Sequence, residues 1–366
     1  MKKKKPDHIL FILTLVLVIV GFAIFASAAL GQVGKDSASF ATIALKQLAI
    51  LLGGLMIMLG IANLPYKPLK KWSPFLFAGG LILTAAVFIP GLGFMYNGAT
   101  RWLNLGFLTI QPAEILKLTF IIFLAAWASA RKEKIKNLPE GLAPFILFLS
   151  LVIIIMFFQK DTGTLMVMVS GAIGIFIAAG GRIAHLFILG LVGMIAFGGL
   201  IIVRPHVRDR LVTFFNPSHD EQGSSYQINQ SLIAIGSGGI VGRGFGQSIQ
   251  KFNFLPEPIG DSIFAVASEE FGLIGSSILI LLFLAFALYG YLLANKEKDV
   301  FGRLLIVGLI TLISSQAFIN IGAMLGLLPL TGVPLPFVSH GGTALLFALI
   351  EVGIILSISR HHSAKV

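Results

Sequence analysis

Cysteine is absent from the 366 residues. That excludes a disulfide framework, thiolate metal sites and a cysteine nucleophile. Charge is scarce: 12% of the residues are Asp, Glu, Lys or Arg, against about a quarter in soluble domains. Acidic residues are scarcer still, 16 against 27 Lys and Arg. The resulting net charge of +11 would point to nucleic acid in a soluble chain, but 56% of this one is hydrophobic. The positive-inside rule accounts for the excess more simply, so no nucleic-acid partner is expected. A P-loop, an H-E-x-x-H helix and a G-x-S-x-G elbow are all missing, and the seven histidines lack zinc-ligand spacing.

Long apolar runs are what the chain has in abundance. They stand at about 9–30, 43–64, 72–90, 112–130, 143–158, 164–179, 183–203, 263–293, 304–328 and 341–358. About 20 apolar residues cross a bilayer, so the fold class expected is an all-α polytopic membrane protein with about ten transmembrane helices. The first run follows Lys2–Lys5 and exceeds a signal-peptide core of roughly 7–15 residues, so a retained signal anchor is expected. One set of tails and short loops holds 17 basic residues, including Lys67, Lys70, Lys71, Lys134, Lys296 and Arg303. The opposite set holds 3: Lys35, Arg101 and Lys160. The first set is expected to be cytoplasmic, with both termini inside. One long loop, 204–262, then lies on the extracytoplasmic side between spans 7 and 8, within a single domain over 1–366. No ATP is available there, so a reaction on that face needs a preactivated substrate.

Within that loop, Gly236-Ser-Gly238-Gly239-Ile-Val-Gly242-Arg-Gly244-Phe-Gly246 lacks the spacing and the strand–turn–helix setting of a nucleotide fingerprint. Tight turns, close helix approach or N–H groups facing a phosphate are the readings left; no nucleotide is expected. Residues 224–234 have polar residues and an apolar tail, which points to a helix at the membrane interface. The loop ends in Leu255-Pro256-Glu257-Pro258-Ile259-Gly260-Asp261, where prolines stiffen the approach to the last carboxylate. Asp261 has two compatible readings, a helix N-cap or a functional group at the membrane face. Glu257 is a second acid beside it. Glu269-Glu270, a few turns into span 8, need partners or water.

Elsewhere, Glu114 and Lys117 are three apart on one helical face, either as a self-neutralised pair or as the lining of a hydrated cavity. Asp161 opens span 6 as a cap or a site residue. Leu328–Gly342, with its prolines and glycines, is a shaped connector on the outer face. Asn320 is a candidate interhelical hydrogen bonder.

Taken in order, Arg101-Trp102, Gln111-Pro112-Ala113-Glu114 with Lys117, Asp161-Thr-Gly163-Thr, Tyr226-Gln227, Leu255-Pro256-Glu257 with Asp261, Glu269-Glu270 and Gly332-Val-Pro334-Leu-Pro336-Phe-Val-Ser339 resemble the SEDS family (shape, elongation, division and sporulation), which includes RodA, FtsW and SpoVE. The FtsW type is somewhat closer, notably in Gln316–Gly322 and Gly326–Pro329. The resemblance covers essentially the whole chain. It implies a peptidoglycan glycosyltransferase of the bacterial cytoplasmic (inner) membrane. Such an enzyme polymerises lipid II into a glycan strand on the outer face, partnered with a class B penicillin-binding protein. Asp261 matches the family's essential Asp, and Gln111–Lys117 and Asp161 match polar positions of its central cavity. Two departures are Gly260, where Thr is frequent, and His340, where Tyr is usual. Lipid II carries an α-linked sugar on a diphosphate and the product is β-1,4-linked, so a single inverting displacement is expected, with Asp261 as general base. Arg101, Lys117, Arg210 and Lys251 are candidates for the leaving diphosphate, with a divalent cation (Mg or Mn) as the alternative. Glu114, Asp161, Glu257 and Ser339 complete the expected substrate-binding set. A lipid II flippase and a non-catalytic scaffold are the rival functions.

Overall fold

The computed structural model describes residues 6–32, 40–96, 99–104, 109–203, 205–216 and 225–362. A helix covers each apolar run: α1 (His8–Ala29), α2 (Phe40–Ala62), α3 (Lys67–Ala85), α4 (Pro112–Arg131), α5 (Ala143–Gln159), α6 (Thr162–Ala178) and α7 (Ile183–Val203) before residue 204, then α10 (Ile263–Lys296), α11 (Val300–Met324) and α12 (Gly342–His362). Among the described residues, eight helical segments are long and apolar enough to cross a membrane by length and composition, and α6 is a shorter apolar helix. The exterior carries exposed Ile19, Met56, Phe75, Ile82, Phe187 and Leu281, a distribution suited to lipid rather than water.

Two expectations need correction. The chain is not purely helical. Between α3 and α4 lies a three-stranded antiparallel sheet of β1 (Gly93–Tyr96), β2 (Ala99–Asn104) and β3 (Thr109–Ile110). Gly93 pairs with Leu103, and Leu103 with Ile110. Strands this short carry too few residues for a period-2 pattern to stand out. Nor is 204–262 a simple loop. It holds α8 (Pro205–Phe215) and α9 (Tyr226–Ser237). The second lies where an interfacial helix is expected. The first was hidden by its basic composition.

The core is built from α4, α11 and α12, which are buried along most of their length. α11 packs against α4, α6, α10 and α12, α2 lies along α12, and α3 along α4. At one end of the bundle Tyr289 donates to Asp7 (2.8 Å), Tyr66 to Asp299 (3.0 Å), and the Asp7 N–H to Ser359 Oγ (3.1 Å). The start of α1, the end of α10 and the end of α12 are thereby tied together, and the start of α3 is tied to the start of α11. Burial and the neighbouring Asp299 carboxylate push the Tyr66 phenol up from its ordinary value, so it stays a donor.

α10 is broken where the glycine-rich segment meets it. Gly272 has φ 64° and ψ −164°, a region populated essentially by glycine. Helical hydrogen bonds lost at the break are replaced from outside. Leu273 and Ile274 N–H donate to the carbonyls of Gly239 and Ile240 (2.9 and 3.1 Å), and Arg243 and Gly244 N–H donate to those of Glu269 and Glu270 (3.0 and 2.9 Å). The backbones touch: a Cβ on Gly242 would lie 2.1 Å from the Glu270 carbonyl oxygen. Of the readings the sequence left open for this run, tight turns and close helix approach are both realised, and the N–H groups of Arg243 and Gly244 are committed to α10.

The connector between α11 and α12 packs on α1 and α2. A Cβ on Gly21 would lie 2.3 Å from the Phe337 carbonyl oxygen. His340 stacks on Phe25 at 5.5 Å, and its Nδ1 lies 3.1 Å from Gln47 Oε1. Burial, and then the Lys46 ammonium, hold the imidazole below its ordinary 6.5.

Two outcomes are expected from this packing. Gly272→Ala places a Cβ 2.3 Å from the Gly242 nitrogen and should lower stability by roughly 1–3 kcal/mol or more, read as a fall in the thermal unfolding midpoint in detergent. Because His340 is neutral when folded, protonation of the unfolded chain favours unfolding. Stability from this site is therefore complete above about pH 6.5 and declines as pH falls toward the depressed folded value. Unfolding midpoints at about pH 7.5 and 5.5 should differ less in His340→Tyr than in the parent chain; equal differences would discount the histidine.

Candidate active site

Asp261 closes the 238–262 segment, one residue before the N-cap of α10. That cap is Ser262, whose side chain makes no capping bond, so the simple N-cap reading of Asp261 does not hold. Its backbone is held instead. The Ile259 carbonyl accepts from the His340 N–H (2.7 Å), the Gly260 carbonyl from Ser339 Oγ (2.6 Å), and the Asp261 carbonyl from Asn320 Nδ2 (2.7 Å). Ser339 Oγ accepts in turn from the Leu335 N–H (2.8 Å), and Asn320 Nδ2 also donates to the Val333 carbonyl (2.7 Å). Three consecutive carbonyls are thus fixed by α11 and the α11–α12 connector.

The carboxylate itself is half-buried. Its Oδ2 accepts from Gln227 Nε2 (3.2 Å), at the start of α9, and the same amide donates to Ser262 Oγ (3.1 Å). On another side stands Gly332, with φ +67°, where even a Cβ would come within 3.7 Å of Oδ2. Glycine keeps this flank of the carboxylate clear. Glu257 has φ 47° between two prolines, and its carbonyl accepts from the N–H groups of Gly260 (3.0 Å) and Ser262 (3.3 Å). Its exposed side chain folds back so that Oε2 would be 3.3 Å from a Cβ at position 260. A β-branched residue there would crowd it. Gly260 and this placement of Glu257 therefore go together.

A second polar layer lies nearby. Asp161 is buried and caps α6, accepting from the Thr164 N–H (3.2 Å) and from Gln111 Nε2 (3.4 Å). Gly163 lets this helix end approach Thr331 and Val333. Lys117 and Glu114 form a buried ion pair at 2.8 Å. Lys117 also donates to Gln316 Oε1 (2.7 Å), and Gln316 Nε2 to the Pro334 carbonyl (3.0 Å). Asp261, Ser339, Asp161, Glu114 and Lys117 are thus joined through one connector, residues 331–340, and Glu257 is linked to it through Gly260, whose N–H donates to the Glu257 carbonyl and whose own carbonyl Ser339 holds.

Arg101 stands at the rim of this layer. Its Nε donates to the Gln159 carbonyl (3.4 Å) and its Nη2 to the Lys160 carbonyl, which closes the end of α5. Lys251 is elsewhere. Expected to face a diphosphate, it is fully buried, with its ammonium on Glu270. The side chain of Arg210 lies outside the described residues. Glu351, buried in α12, was not singled out from the sequence, although an acid inside an apolar run is a signal in itself. Ser27 was missed for want of any signal: one serine in an apolar helix is unremarkable.

The geometry is a positioned, partly open carboxylate above a buried polar layer, on a helical bundle. Comparison with known proteins bears on the family and the fold. The family model described as "Cell cycle protein" (FtsW, RodA, SpoVE) matches residues 7–364. Stage V sporulation protein E of Bacillus subtilis is 40% identical over 362 residues, 98% of each chain. A probable peptidoglycan glycosyltransferase FtsW of Geobacter metallireducens is 37% identical over 84% of this chain and 82% of its own length. Among solved structures, a chain from a peptidoglycan synthase complex superposes with a TM-score of 0.82 at 24% identity, covering 98% of this chain and 99% of that one. The rod shape determining protein RodA of Thermus thermophilus superposes with a TM-score of 0.72 at 25% identity, covering 98% of both. The chain belongs to the FtsW/RodA/SpoVE family of cell cycle proteins.

Proposed function

We propose that this protein is a peptidoglycan glycosyltransferase that polymerises lipid II on the outer face of the cytoplasmic membrane. The relatives named for that activity support the reaction class. The observation that carries the site assignment is Asp261: a half-buried carboxylate whose backbone is locked on three consecutive carbonyls. A general base needs such fixed geometry. Ten spans with both termini inside would set the Asp261 end outward, in keeping with the basic residues at Tyr66–Lys71 and Lys296–Arg303 near the opposite end.

In this reading Asp261 takes the proton from the 4-hydroxyl of one saccharide as that oxygen attacks the anomeric carbon of the other. The α-linked undecaprenyl diphosphate leaves and the new bond is β-1,4. Arg101 keeps guanidinium N–H donors beyond those spent on α5, and it suits the developing diphosphate charge. Lys251 is withdrawn from that role by its burial. Among the described residues no three side chains form a metal cluster. Glu257 and Asp261, on one turn, are two carboxylates, the set that suits a magnesium or manganese ion held mainly by phosphate oxygens. Such an ion would neutralise the leaving group. An apolar cavity of about 120 Å³, lined by Phe214, Leu328 and, from α9, Ile228 and Leu232, offers a place for part of a lipid chain. A class B penicillin-binding protein is the proposed partner, as the family resemblance implies.

Purified protein given lipid II should make glycan polymer resolvable on a gel. Asp261→Asn should cut the rate by about 10²–10⁴-fold with an unchanged unfolding midpoint. Near-normal polymer from folded Asp261→Asn would end the assignment of the base, and lipid II movement without polymer would favour a flippase.

A further inference from the structure

Lys251, Glu269 and Glu270 are among the most deeply buried charges in the molecule, each at most 1% exposed, and the proposed chemistry uses none of them. The Lys251 ammonium donates to Glu270 Oε1 (2.7 Å), and it also contacts Ser27 Oγ (3.0 Å) and the Gly246 carbonyl (2.9 Å). Ser27, in α1, donates to the Glu270 carboxylate (2.6 Å). Gly31, just past α1, has no side chain to keep the chain off: a Cβ there would meet the Lys251 carbonyl oxygen at 2.3 Å. Glu269 faces the same segment, accepting from Ser248 Oγ (2.6 Å) and the N–H groups of Ile249 (3.0 Å) and Gln250 (3.2 Å), with Arg243 Nε at 3.3 Å.

A buried ion pair of this kind is weak as a source of stability, because desolvation offsets most of its attraction and an apolar pair of the same size does as well. What it specifies is register. Here the register is that of the strand of chain leading to Asp261. Downstream of Lys251 the chain runs through buried Leu255 and two prolines to the carbonyls pinned by Ser339, His340 and Asn320. α1 touches the start of that run through Ser27 at Lys251, and reaches its end indirectly, through Phe25 stacked on His340, whose N–H holds the Ile259 carbonyl (2.7 Å).

We propose that Lys251, Glu270 and Ser27 form a positioning assembly that sets the placement of Asp261 toward its substrate, with α1 as the common brace. The three residues act through the segment 252–260 and do not touch the reacting atoms. The inference rests on the reading of Asp261 as the base, and Asp261→Asn is run alongside as its separate control.

The test replaces the pair by apolar groups of similar volume. Lys251→Met alone strands a buried carboxylate and should lower the unfolding midpoint and activity together. Lys251→Met with Glu270→Leu should regain most of the midpoint, while kcat for lipid II polymerisation stays about 10-fold or more below the parent and KM stays within about 2-fold. Ser27→Ala, a milder change, should lower kcat by about 3–10-fold at unchanged KM. Return of kcat along with the midpoint in the double variant, or parent kcat in folded Ser27→Ala, would overturn the proposal while leaving an inactive Asp261→Asn in place. An active Asp261→Asn would instead remove the base on which it rests.

Discussion

Asn320 holds two segments with one amide. Its Nδ2 donates to the carbonyls of Asp261 and Val333, both at 2.7 Å. Through it, the end of the 238–262 segment and the α11–α12 connector share an anchor on one of the three most buried helices of the bundle. The interaction is strong in consequence because water is scarce at this depth. A backbone carbonyl without a partner there costs its full desolvation, so the two segments are held to one geometry. Ser339 and His340 repeat the arrangement on the two preceding carbonyls. The carboxylate that follows is partly exposed, yet the backbone under it has almost no freedom.

The same constraint explains the irregular backbone around the site. Within the bilayer, non-helical backbone is tolerated only where protein re-satisfies its polar groups. The break at Gly272 meets that condition by pairing with the glycine-rich segment, whose own turns need positive φ at Gly239, Gly242, Gly244 and Gly246. Glu269 and Glu270 sit immediately before the break and face the same segment with their side chains. Main chain and side chains therefore fasten the segment along one stretch of α10, and its far end, pinned separately by Ser339, His340 and Asn320, carries Asp261. Polar groups that look out of place in an apolar helix are here the means of attaching a shaped loop to it.

The buried Glu114–Lys117 pair answers to the same rule. Its charges neutralise each other three residues apart on α4, and Gln316 carries the link on to the Pro334 carbonyl. The connector 331–340 thus receives hydrogen bonds from α11, rests against the capped end of α6 and stacks on α1. Three helices far apart in sequence converge on these ten residues, which include Gly332, Pro334 and Pro336.

Much of this was legible in the sequence, and the limits were physical. Long apolar runs marked every helix of the bundle, because span length and hydropathy are local properties. Their order, with the short motifs between them, carried the family. Asp261, Glu257, Asp161, Glu114, Lys117, Ser339 and Asn320 stood out as polar groups beside or within apolar runs. The short sheet between α3 and α4 did not, since its strands hold too few residues for a period to show, and helix α8 was hidden by its basic composition. Lys251 was misplaced for a different reason: a lysine in a polar segment gives no sign that Glu270 and Ser27 will enclose it. Which residues are polar against an apolar background was settled by composition along the chain, while which charges face the site and which are sealed away was decided only when distant helices packed, because burial and pairing depend on neighbours that sequence distance does not reveal.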